Sequence, residues 1–181
     1  MDPSLINEKL LIKQCPNVSK GLGVFATRRL SKGLRLLEES PLLSYECSED
    51  AIEDIEHDFG SLPLPDQARL VRLFAGIFDT VPVIKMLQQD EAGLATAPQR
   101  LKKIVRYNSV EGQGTGCVLL FNCSFLNHSC VPNAWLYWND ALNAVTLHAI
   151  RDISKEEEVT ISYFQESVYL NRLERNARLG N

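Results

Sequence analysis

A chain of 181 residues that is 45% hydrophobic and 23% charged has the size and balance of a single globular domain. This excludes a disordered or fibrous protein. Formal net charge is -4 and the 19 basic residues are scattered, so the continuous cationic footprint of a direct nucleic-acid binder is missing. The start, MDPSLINEKLL, has no basic region followed by an apolar stretch, and no run approaches the roughly 18 apolar residues of a membrane span. An intracellular location is expected, and neither secretion nor membrane insertion. The five cysteines, at 15, 47, 117, 123 and 130, form no CxxC pair, so reduced thiols serving as core filler are expected rather than a disulfide scaffold.

Lys9 to Gln14, Val24 to Arg28, Leu34 to Glu38 and Leu42 to Glu46 are short apolar or alternating runs punctuated by Gly, Pro and Ser, which predicts strands joined by tight turns. Ser48 to Phe59 is acidic, and Asp66 to Phe78 carries apolar residues at three- and four-residue spacing, so this middle is predicted helical. Pro98 to Tyr107 opens with a helix-compatible proline and sets Leu101, Ile104 and Val105 on one face of a third helix. Strand signals return at Cys117 to Leu120, Ala134 to Trp138, Ala144 to Ile150 and Val159 to Ser162, with Asn139 to Asn143 as a hairpin loop. Ser167 to Leu179 fits a final helix. Strands, a helical insert and more strands argue a mostly β, α+β domain rather than an alternating βαβ protein.

Two segments carry unusual chemistry. Gly21-Leu22-Gly23 precedes a strand, and its glycines would let backbone approach a ligand; a tight turn explains the same pattern, and without a third glycine and a following helix it is no dinucleotide fingerprint. Asn127 to Asn133 (NHSCVPN) packs two amides, an imidazole, a thiol and a proline between FNCSFL and AWLYW. Three readings stand: a polar turn with satisfied hydrogen bonds, a Cys and His nucleophilic pair, or part of a metal site. Adjacency of His128 and Cys130 does not create the geometry that a pair needs. Trp135, Tyr137 and Trp138 read as the two faces of a strand, Lys155 to Glu158 as a solvated turn, and His57 and His148 receive no role.

NHSCVPN resembles the NHxCxPN signature of SET domains. KGLGVFAT upstream resembles the GxG motif with which these domains begin, and EEVTISYF downstream resembles their closing GEExxxxY segment. The three occur in the family's order and span Lys20 to Phe164. FLNHSC, and RYNS around Asn108, are most similar to the SET and MYND proteins and their fungal relatives, without the MYND finger, since no Cys and His cluster lies between residues 46 and 105.

The resemblance implies one SET domain over 1–181, with N-terminal strands in 9–46, a helical insert in 47–110, the C-terminal core in 117–164 and a C-terminal helix in 165–181. It implies a C-terminal pseudoknot that brings NHSC and ISY side by side. It further implies a protein-lysine N-methyltransferase using S-adenosylmethionine, acting on a lysine of a histone tail or another protein, in the nucleus or cytoplasm. Gly21, Leu22 and Gly23 would offer backbone contacts to the cofactor, Asn108 and Asn127 amide contacts, and His128 a backbone contact; Tyr163 would be catalytic.

The chain also departs from that family. There the cysteine of NHSC ligates zinc with three more from a following CxCxxC segment, whereas no cysteine follows Cys130 here. One thiolate will not hold a structural zinc, so no metal is expected. The tail ERNARLGN resembles the run that leads into the missing cysteines. An inactive or truncated SET module that binds a partner is therefore the alternative expectation. Glu156 stands where the family has glycine, at a cost of roughly 1 kcal/mol if that turn needs positive φ.

Overall fold

The computed structural model describes residues 5–46, 52–71, 73, 98–112, 114 and 116–163. The chain divides into two compact units. The first comprises Met1–Glu38, Phe125–Tyr137 and Thr146–Asn181, and the second Glu39–Ser124 and Trp138–Val145.

The first unit is built on strands β1 (Leu10–Gln14), β2 (Leu22–Ala26), β7 (Asn127–His128) and β10 (Glu158–Ile161), which form one sheet in the order β1-β2-β10-β7. β1 and β2 are an antiparallel hairpin, Leu10 opposite Ala26 and Gln14 opposite Leu22. Its bend is a 3-10 turn at Val18–Lys20, where the Asn17 carboxamide accepts from the Ser19 backbone and Gly21 follows at φ 70. That left-handed conformation suits glycine, which has no Cβ to clash with its own carbonyl.

β10 changes partners halfway along its length. Glu158 and Val159 pair antiparallel with Phe25 and Val24 of β2, whereas Thr160 and Ile161 pair parallel with Asn127 and His128 of β7. Parallel neighbours need a long connection, and here it includes the hairpin of β8 (Ala134–Asn139) and β9 (Ala144–Ala149). These two strands join β3 (Arg35–Glu39) in a sheet ordered β3-β9-β8. β9 lies in the middle and is buried at every position except His148.

Leu10, Val24, Leu30, Leu36, Leu126, Leu147, Ile153 and Val159 are each no more than 2% exposed and form the apolar core of this unit. Asn133 is buried among them at 1% exposure. Its Nδ2 donates to the Glu158 carbonyl and the Glu157 carboxylate, and its Oδ1 accepts from the Thr160 backbone, so the polar group is satisfied.

In the second unit β4 (Leu43–Glu46), β6 (Gly116–Leu119) and β5 (Ser109–Glu111) form a sheet ordered β4-β6-β5. Leu43 and Ser109 both face Leu119 across it. The helices are α1 (Ile52–Ser61), α2 (Leu64–Leu70) and α3 (Pro98–Asn108), and α1 packs on β4 and α3. Ile55, Leu101, Ile104, Val105 and Leu119 are buried there, as the helical spacing predicts. Glu39 caps the 3-10 turn at Cys123–Phe125, accepting from the backbone N–H of Asn122 at 2.7 Å and of Cys123 at 2.9 Å.

The observed α+β, mostly β arrangement is the expected one, with local differences. β2 begins at Leu22, so two of the three residues of the GLG triplet lie inside a strand rather than ahead of it. The predicted helix from Asp66 ends at Leu70, with residues 72 and 74–78 outside the described ones. The final helix, Ser167 to Leu179, and the threading of the pseudoknot also fall outside them. The side-by-side placement of NHSC and the closing strand is present, as the β7–β10 pairing. β5 and β7, of three and two residues, were not foreseen, because runs so short carry no period. The cysteines are less uniform than expected: Cys15 and Cys123 are buried, but Cys130 is exposed and Cys117 is disulfide-bonded.

Glu156 has φ 67 in the turn ahead of β10. A side chain in this region is strained, and glycine relieves the strain while adding freedom to the unfolded chain. Glu156→Gly is therefore expected to raise unfolding stability by about 0.5–1 kcal/mol. Urea denaturation checks this, and a lower midpoint would contradict it.

Candidate active site

The place where β10 leaves β2 and takes up β7 gathers the polar residues of the first unit. Pairing with β10 stops at Val24 on β2, so Gly23 and Leu22 lie past the end of that ladder. The Asn127 side chain reaches across, its Nδ2 donating to the Leu22 carbonyl at 3.1 Å and to Glu158 Oε1 at 2.8 Å. A Cβ at Gly23 would come 2.8 Å from Cys15 Sγ and 2.9 Å from Glu158 Oε1, closer than such atoms approach, and 3.0 Å from Asn127 Nδ2, so any larger residue would push these side chains out of place.

His128 follows Asn127 on β7, and its imidazole faces Tyr163. The Tyr163 backbone N–H donates to His128 Nδ1 at 3.1 Å, and the two ring centres are 5.4 Å apart. Nδ1 therefore carries the lone pair, and the ring proton sits on Nε2, which is 3.3 Å from Cys130 Sγ. Burial holds the imidazole below its usual value of 6.5. A lowered histidine pKa disfavours the folded state once the ring is protonated, so this contribution to stability is present above pH 6.5 and is lost as pH falls below it. An NMR titration of the imidazole should give a midpoint below 6.5, with the Tyr163 amide signal moving in step. A midpoint at or above the ordinary value would contradict the assignment.

Tyr163 is 55% exposed as a residue, yet its hydroxyl is turned in and donates to the Leu126 carbonyl at 2.9 Å. Burial of that hydroxyl pushes the phenol above its ordinary value of 10; the His128 backbone opposes the rise and the Glu158 charge adds to it. The group is a neutral phenol at neutral pH, able to accept through its remaining lone pairs.

Of the residues expected at a site, the first unit brings together Gly21, Leu22, Gly23, Asn127, His128 and Tyr163. Asn108 belongs to the second unit, at the end of α3, where its buried amide donates to the Ile104 carbonyl at 2.6 Å. Phe164 of the closing motif lies outside the described residues. The sequence reading missed three members. Glu158 was assigned to a solvated turn, but it opens β10 and takes hydrogen bonds from Asn127 and Lys20. Cys15 was read as core filler, yet it touches the same carboxylate. Lys20 was read only as a flank of the glycines. One signal for Glu158 was available, a carboxylate at the head of an otherwise uncharged strand. Among the described residues no three His, Cys, Asp or Glu side chains gather as metal ligands, and no helix is long and apolar enough to cross a membrane.

Comparison with known proteins bears on the same residues. The family model described as SET domain matches residues 21–164. Histone-lysine N-methyltransferase set5 of Schizosaccharomyces pombe is 30% identical over 156 residues, covering 86% of this chain and 43% of the relative. Two Arabidopsis thaliana histone-lysine N-methyltransferases match shorter stretches. ATXR4 is 39% identical over 33% of this chain and 18% of its own length, and ATXR2 is 45% identical over 31% and 12%. The chain thus spans less than half the length of each of these curated relatives. A solved Plasmodium falciparum chain is similar at 18% identity and a TM-score of 0.48, covering 88% of this chain and 96% of that one.

Proposed function

The chain belongs to the SET domain family, and we propose that it is an S-adenosylmethionine-dependent protein-lysine N-methyltransferase acting on a histone or another protein. The observation that carries this reading is the meeting of the glycine-led strand β2, the Asn127–His128 strand and Tyr163 around one strand, β10. The relatives named as histone-lysine N-methyltransferases support the substrate class.

The donor set suits this cofactor. Asn127 spends both amide protons on Leu22 and Glu158, so its Oδ1 is left as an acceptor with no partner among the described residues. An amino group is the natural donor to it. S-adenosylmethionine, held by Asn127 and His128, would supply an electrophilic methyl for a lysine amine.

This chain's own residues have three tasks. Gly21, Leu22 and Gly23 present backbone, and in this reading Asn127 and His128 hold the cofactor. Tyr163, fixed by its hydrogen bond to Leu126, directs a neutral hydroxyl oxygen at the reacting groups, where oxygen acceptors favour a polarised methyl through weak CH contacts. A lysine amine with an ordinary pKa near 10.4 must shed its proton to attack, and the positive sulfur of the cofactor would lower that pKa. Orientation is the larger contribution.

Calorimetry with S-adenosylmethionine tests the cofactor assignment. Binding should be measurable and weakened about tenfold by Asn127→Ala, the value of one lost hydrogen bond in a partly buried site. No detectable binding, or no response to the substitution, would remove the assignment. Binding without methyl incorporation into histones would favour the inactive partner-binding module instead.

A further inference from the structure

Beneath Asn127 lies a cluster of side chains with no part in the chemistry described above. Glu158 Oε1 accepts from Asn127 Nδ2 at 2.8 Å and Cys15 Sγ lies 3.5 Å from it, while Glu158 Oε2 accepts from Lys20 Nζ at 3.2 Å. Cys15 is 2% exposed and also lies 3.4 Å from Asn127 Nδ2. The cluster rests on the bare α-carbon of Gly23.

An amide's two ends are nearly alike in size, and only its partners decide which way it points. Here both nearest neighbours of Nδ2, the Glu158 carboxylate and the Leu22 carbonyl, are acceptors alone. Turning the amide over would set Oδ1 against two oxygens in a site largely removed from water, which is strongly unfavourable. We propose that Glu158, braced by Lys20 and Cys15, is a positioning residue that holds the Asn127 amide with Oδ1 turned away from the cluster, toward the amino-bearing end of the methyl donor. The inference rests on the reading of Asn127 as a cofactor contact. Its second consequence is specificity: a locked acceptor favours a donor that keeps its α-amino group over an analogue lacking one.

The lock can be observed without cofactor. In the 15N-labelled chain the Asn127 side-chain amide protons should exchange slowly, and Glu158→Ala should abolish that protection, while Glu158→Gln, which keeps an acceptor, retains it. Calorimetry then reads the consequence. Glu158→Ala should weaken S-adenosylmethionine binding about 10- to 100-fold, as loss of a charged hydrogen bond does. Glu158→Gln should recover most of that loss, and Glu158→Ala should have no added effect in an Asn127→Ala background. A purely structural role would instead give additive losses that follow the melting temperature. A wild type that binds S-adenosylmethionine no more tightly than Glu158→Ala, or unprotected Asn127 amide protons, overturns this inference alone. A wild type with protected protons and no binding overturns the functional reading and this use of the lock together.

Discussion

Replacing Tyr163 with phenylalanine is expected to slow methyl transfer by about 10²- to 10³-fold, the range seen when one preorganised polar group is removed from a reacting centre. The substitution is conservative in every other respect. The ring keeps its place 5.4 Å from the His128 ring, and the backbone N–H still donates to Nδ1. What disappears is the hydroxyl on the Leu126 carbonyl, and with it the oxygen to which the proposed function gives the catalytic role. Because that phenol is raised above 10 by burial, it stays protonated through the neutral range, and the wild-type rate should show no ionisation of Tyr163 below its ordinary value. Labelled methyl incorporation into a histone mixture measures the rate, with calorimetry on the same variant as the binding control. An unchanged rate removes Tyr163 from its role; a lost rate with lost binding moves that role to the cofactor.

Asn133→Ala is expected to lower stability by about 3 kcal/mol, the cost of leaving two buried backbone groups without partners. The Thr160 N–H and the Glu158 carbonyl both bond to this carboxamide, at 2.8 Å each, and Asn133 is 1% exposed. No water replaces such partners readily in a packed interior. For a chain of this length the loss corresponds to roughly 6–12 °C in melting temperature. Both groups belong to β10, so its register beside β7 should loosen as well, and hydrogen exchange at Thr160 and Ile161 should rise above that at Leu10 on β1. A drop below about 0.5 kcal/mol, within the range of an ordinary surface change, would mean that β10 is held elsewhere.

Three motifs in order made the family legible before any coordinates, because each needs particular side chains at fixed spacing and no periodic element supplies them by chance. The longer strands and α3 were legible for a different reason: apolar residues at a two- or near-four-residue period have one good way to be buried. Boundaries were less so. β7 has two residues and exists only because β10 runs beside it, so no local pattern marks it. Asn133 stood inside the dense polar motif, but a carboxamide that clips a distant strand looks no different in sequence from one in a polar turn.

Composition, strand and helix periods and the NHSC and ISY segments thus determined the class of fold and where its chemistry should be sought. Only the tertiary structure decided which polar residues share that place. Glu158 and Lys20 are 138 residues apart and Cys15 and Glu158 are 143 apart, and Glu158 lies among charges that read locally as a solvated turn. A hydrogen bond is set by direction and distance, and for residues so far apart both follow from strand register. Asn127 was visible in the sequence as a candidate; the way its amide points was decided by the carboxylate that β10 carries to it.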